Sequence, residues 1–101
     1  MPAPAKHPAV DDEIKAAASW YEDRCLGLGN QFIDATRSVT ALISASPLRF
    51  AIRFADVRRA RLPRFPYSVW YCVSGGRVYI LSVLHDKREH RAILEPRRPE
   101  S

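Results

Sequence analysis

A chain of 101 residues, 47% apolar and 27% charged, has the size and balance of one globular domain, which excludes a disordered chain or a scaffold that needs staples to fold. No apolar run approaches the roughly 20 residues of a membrane span, and the start lacks the apolar stretch of a secretion signal, so a cytoplasmic protein with no membrane partner is expected. The net charge of +5 is uneven: residues 1–48 hold four basic and six acidic side chains, residues 49–101 twelve and five. The positive field therefore belongs to the second half and favours an acidic or polyanionic partner there.

In chain order, Pro2 and Pro4 leave room in residues 1–6 for at most a short edge strand, and fraying is expected there. Pro8 suits the first turn of a helix with His7 at its cap, and Asp11, Asp12 and Glu13 then meet the positive end of the helix dipole. Ile14, Ala18, Tyr21 and Cys25 recur at helical spacing, which predicts a first helix over residues 9–24, ended by Gly27 and Gly29. Leu28, Phe32, Ala35, Val39 and Leu42, widened by Ile33 and Ile43, predict a second helix that fades at residues 44–46 and stops at Pro47. So short a connection makes the pair an antiparallel hairpin, with Trp20 and Tyr21 on its seam.

After Pro47 the period changes to two. Residues 57–62 put Val57, Arg59 and Arg61 on one face of a strand and Arg58, Ala60 and Leu62 on the other. Residues 67–73 form a second strand, Ser74-Gly75-Gly76 a hairpin turn, and residues 77–84 a strand apolar on both faces, as in the middle of a sheet. Residues 85–91 are polar and leave the sheet, and residues 96–101 are expected to fray. The whole is a single α+β domain, 1–101: an N-terminal antiparallel helical hairpin packed on a three- to four-stranded antiparallel sheet. Cys25 and Cys72 stand far apart with no ligand spacing near them, so two buried free thiols are expected, with no metal and no other cofactor.

The chemistry gathers in residues 58–71. Arginine pairs its flat, permanently charged head with phosphate or carboxylate, so Arg58, Arg59, Arg61 and Arg64 are candidates to grip a target. Arg58 and Arg59 are neighbours on a strand and point to opposite faces, whereas Arg59 and Arg61 share one. Phe65, Tyr67, Trp70 and Tyr71 either stack bases or pack the sheet. His85 is the candidate general acid or base, since imidazole is the side chain best suited to proton transfer near neutral pH, with Arg59, Arg61 and Arg88 as phosphate clamps. The plainer alternative is that His85 caps the last strand and the arginines line a solvated face. His90 is expected to be exposed.

Several short patterns then fall in one order: Asp12-Glu13-Ile14 and Trp20-Tyr21-Glu22, Leu26-Gly27-Leu28-Gly29 with Phe32, Arg58-Arg59 with Leu62, Phe65-Pro66-Tyr67-Ser68-Val69-Trp70-Tyr71, and Val83-Leu84-His85 with Arg88. Over residues 7–91 this resembles the ParE/RelE superfamily of bacterial toxins. The resemblance implies the toxin of a type II toxin–antitoxin (plasmid stabilisation) pair, with a helical hairpin over an antiparallel sheet and a cognate antitoxin wrapped on its working surface. ParE-like members poison DNA gyrase by binding it, and RelE-like members cut messenger RNA in the ribosome. No second acid or base accompanies His85, so the expectation is ParE-like, with the ribosome-dependent endonuclease as the alternative. Trp20, Tyr21, Phe65 and Tyr67 are the residues expected to meet the antitoxin. The chain departs from the family's pattern at Pro2 and Pro4, where a strand usually begins, and at Glu89-His90, where many members carry proline.

Overall fold

The structure, a computed structural model, describes residues 4–99. It runs β1 (Ala5–Lys6), α1 (Val10–Arg24), α2 (Leu28–Ala45), β2 (Ile52–Phe54), β3 (Val57–Arg61), β4 (Tyr67–Ser74), β5 (Arg77–His85), α3 (His90–Leu94) and a 3-10 turn at Glu95–Arg97. Among the described residues no helix is long and apolar enough to cross a membrane.

α1 starts at Val10 with Ala9 as its cap residue and no capping side chain, so His7 and Pro8 stand ahead of the helix and not at its cap and first turn. His7 Nδ1 accepts the Ala9 N–H at 3.1 Å, and Asp11, Asp12 and Glu13 occupy the first turn. The connection to α2 is built differently. Gly27 sits at φ 88° and offers α2 no capping side chain, so Glu22 reaches over from α1. Its carboxylate accepts Gly27 N–H at 2.9 Å and Gly29 N–H at 2.9 Å, satisfying donors that the helix cannot satisfy itself. A Cβ on Gly29 would stand 2.7 Å from the Ala18 carbonyl oxygen. The Leu26-Gly27-Leu28-Gly29 pattern is therefore a geometric requirement: it lets two helices meet almost backbone to backbone.

The sheet has five strands in the order β1-β5-β4-β3-β2, antiparallel except that β1 runs parallel to β5. The expected three to four strands become five because two very short ones close the edges. The helical hairpin covers the front face, where Phe32, Ala35, Val39 and Ile43 bury against Ala60, Leu62, Val69, Tyr71, Ile80 and Val83. As predicted, β5 is apolar on both sides, since Val57, Trp70, Cys72, Leu81 and Leu84 form a second cluster on the back. A register shift opposite Trp70 and Tyr71 gives β5 one extra residue, Leu81, which lets the strand feed both clusters.

What covers the back face was not foreseen. The stretch leaving β5 turns into α3, whose Leu94 is buried against Val57, Trp70, Leu81 and Leu84. Arg97 then reaches round the sheet edge to Glu13 of α1 at 2.9 Å and to the Leu81 carbonyl at 3.0 Å. The same Glu13 carboxylate accepts from Ser82 Oγ at 2.8 Å and Val83 N–H at 3.2 Å. Thus both ends for which fraying is expected carry contacts: Ala5–Lys6 in the sheet and Arg97 in this clasp. Residues 1–3, 100 and 101 of those segments lie outside the described residues. Three seam assignments also change. Cys25 is exposed while Cys72 is buried, and Trp20 and Leu42 remain 49% and 44% exposed. Buried Val10 and Ala17 on α1 and Thr36 on α2 sit where the narrower stripe left them out.

Candidate functional site

The four target-binding candidates do not form one cluster. Arg58 faces the helices, where its Nη1 donates to the carbonyls of Phe50 at 2.7 Å and Leu48 at 3.2 Å and pins the loop that leads into β2. Arg59 and Arg61 share the back face, as period two requires. Arg59 lies half-buried opposite Trp70, its guanidinium carbon 5.6 Å from the ring centroid. Burial first and the charge of Arg53 next lower its pKa, Asp86 pulls it back up, and Arg61 adds a smaller push down. Arg61 is exposed and paired with Asp86 at 3.2 Å, whose other oxygen accepts Ser68 Oγ at 2.7 Å. Arg64 stands apart on the β3–β4 connection, at φ 67°.

The four residues expected to meet an antitoxin do converge. The Leu62 N–H donates to the Tyr67 carbonyl at 2.9 Å, closing the loop so that Phe65 points under the helical hairpin. Its ring centroid lies 4.9 Å from that of Tyr21 and 5.2 Å from that of Phe32. Tyr67 sits 5.0 Å from Phe32, and Trp20 meets Tyr21 edge-on at 5.1 Å. Phe65 is buried, so it supports the others and offers no surface of its own. The Arg24 guanidinium carbon covers one face of Trp20 at 3.3 Å.

Beside this cluster opens a cleft of about 590 Å³, lined among others by Glu13, Trp20, Tyr21, Tyr67, His85 and Arg88. Two of the four catalytic candidates, His85 and Arg88, stand here; Arg59 and Arg61 do not. Burial raises the Tyr67 pKa, opposed by the nearby charge of Arg88, and burial with Tyr67 beside it raises that of Tyr21. Both phenols are therefore neutral wall groups at physiological pH. His85 packs edge-on to Tyr67 at 5.1 Å, and its Nδ1 accepts the Lys87 N–H at 3.0 Å. With Nδ1 taken as an acceptor, Nε2 is the ring nitrogen left free to donate. The carboxylate lining the same cleft, Glu13, is already occupied by Ser82, Val83 and Arg97. The cleft offers an apolar side chain the aromatic wall and an acidic group the Arg88 guanidinium at its rim. Among the described residues no three or more His, Cys, Asp or Glu side chains gather as metal ligands.

Two features escaped the sequence. Arg53, one residue into β2, joins the back-face charges around Arg59. A groove of about 620 Å³ opens beside the free ends of the helices, lined among others by Val10, Ile14, Ile33, Thr36, Ile80 and Val83. Neither is signalled by spacing: β2 is only three residues long, and the groove is lined by side chains from both helices and β5.

No family model matches the chain, and no curated protein gives a significant match. Solved structures do. A chain of the chromosomal ParDE TA system from P. aeruginosa superposes with a TM-score of 0.60 at 16% identity, covering 84% of this chain and 96% of its own length. At that identity the likeness is one of fold: the helical hairpin over a mostly antiparallel sheet is the architecture that the ParE/RelE resemblance implies.

Proposed function

We propose that the chain is the toxin of a type II toxin–antitoxin pair, ParE-like in that it acts in the cytoplasm by binding its target and is neutralised by a cognate antitoxin. The observation that carries this reading is the fold shared over 84% of the chain with a chain of a ParDE TA system, reached independently from the order of motifs in residues 7–91. The cleft supports the binding half of it. Its aromatic wall, exposed at Trp20 and half-buried at Tyr67, and its cationic rim at Arg88 match an amphipathic, acidic antitoxin segment, and aromatic anchors buried on binding dominate such contacts. DNA gyrase is the target the resemblance implies.

Two assays separate this reading from the ribosome-dependent endonuclease. Purified chain added to gyrase and relaxed plasmid is expected to inhibit supercoiling, and to leave messenger RNA uncut on programmed ribosomes. His85→Ala is expected to leave the inhibition unchanged. Cleavage of ribosome-bound message that disappears with His85→Ala would instead establish the endonuclease and overturn the binding reading.

A further inference from the structure

The two edges of the sheet are finished in different ways. On the β5 side, β1 pairs with Tyr79 and Ile80, and beyond it the Glu13 carboxylate takes the Val83 N–H at 3.2 Å. On the other side β2 is outermost, three residues long, with no strand beyond it among the described residues. Shortness, a bulge and a charged side chain are the usual protection of such an edge, and β2 has all three. That protection does not account for what lies beside it. Leu48 is 69% and Ile52 51% exposed, apolar groups left in water next to unpaired backbone.

The charges around the same edge are one-sided. The register shift between Ile52 and Phe54 adds Arg53 to the strand, and its charge acts on Arg59. Among the described residues Arg49, Arg53 and Arg59 are in no ion pair, while the nearby carboxylates are taken: Asp56 by Arg98 at 2.8 Å and Asp86 by Arg61 at 3.2 Å. Ile52 stands opposite Arg58 on the helix-side face, and Arg53 bears on Arg59 of the back face. A strand laid along β2 would meet an apolar group on one side and guanidinium groups on the other, with the alternation that a β-strand supplies.

We infer that the β2 edge, with Leu48 and Ile52 beside it and Arg49, Arg53 and Arg59 around it, is a docking surface for an extended segment of a partner protein that alternates acidic and apolar residues and adds to the sheet as a further strand. A nucleic-acid strand would use the guanidinium groups but leave Leu48 and Ile52 idle. The ring it would stack on, Trp70, is only 3% exposed and lies under His90 at 4.5 Å. The surface lies at the opposite edge of the sheet from the Glu13 clasp, and the inference does not rest on the toxin reading.

The probe is a short fluorescein-labelled peptide alternating glutamate with isoleucine, followed by anisotropy and by amide hydrogen exchange. Binding is expected to weaken about tenfold or more in the Arg53→Gln, Arg59→Gln double variant, since one lost desolvated charge contact is worth about that factor. Ile52→Ser is expected to weaken it several-fold, and bound peptide to slow exchange at residues 52–54. Trp20→Ala should leave it unchanged. Failure of the peptide to bind overturns the inference, as does affinity indifferent to the two arginines. An oligothymidine of equal charge that binds as tightly, with no sensitivity to Ile52→Ser, overturns it in favour of a nucleic-acid patch.

Discussion

At the scale of single residues, two positions make measurable predictions. Burial, helped by Asp56 and opposed by Arg98, raises the Cys72 thiol to about 11 from 9.0. As pH rises the unfolded chain loses this proton first, so stability that is full below pH 9 falls as pH climbs through 11. Urea unfolding followed across that range should show the fall, and Cys72→Ala should flatten its lower part. What remains above pH 10 belongs to Tyr21, Tyr67 and Tyr71, whose pKa values burial also raises. Ala55, in the turn between β2 and β3, holds φ at 48°, a left-handed conformation that strains any side chain with a Cβ. Ala55→Gly should therefore stabilise the protein by about 0.5–1 kcal/mol in the same unfolding measurement.

At the scale of elements, the helical hairpin depends on one atom that is absent. Gly29→Ala would place a methyl group 2.7 Å from the Ala18 carbonyl and 3.0 Å from the Glu22 carboxylate, forcing α1 from α2 and disturbing the bonds that cap α2. A loss of about 1–3 kcal/mol is expected, the range of overpacked sites, and a thermal midpoint unchanged from wild type would contradict this account of the junction. The helices and the three long strands were legible in the sequence because period and breaker agree there: helical spacing up to Pro47, alternation after it, glycines at the turns. The short elements were not. Ala5–Lys6 and Ile52–Phe54 are too brief to show a period, and α3 has only five residues, with Leu94 as its buried anchor. The candidate site was legible in part for a related reason. Trp20 and Tyr21, Phe65 and Tyr67, and His85 come from three distant stretches and meet because the β3–β4 loop folds under the hairpin, which spacing alone did not show. The arginines misled because alternation assigns faces but not partners: Arg58 spends its donors on Leu48 and Phe50, and Arg61 on Asp86.

At the scale of the molecule, two apolar layers flank the sheet, the Glu13–Arg97 pair ties α1 to the C-terminal turn, and the positive charge of the second half is spread over the sheet's back and edge. Its aromatic cleft has Tyr21 and Tyr67 as neutral wall groups, Glu13 engaged by Arg97 and Arg88 at the rim, the features on which we rest the proposal of a toxin that binds. The most direct test of that conclusion is growth. Induced expression of the chain in a bacterium, followed by optical density and viable counts, should arrest growth within a few generations. Co-expression of the cognate antitoxin that the proposal requires should restore growth, and Trp20→Ala with Arg88→Ala in the chain should abolish that rescue. Unimpaired growth with the folded chain accumulating to readily detected levels would contradict the toxin reading outright.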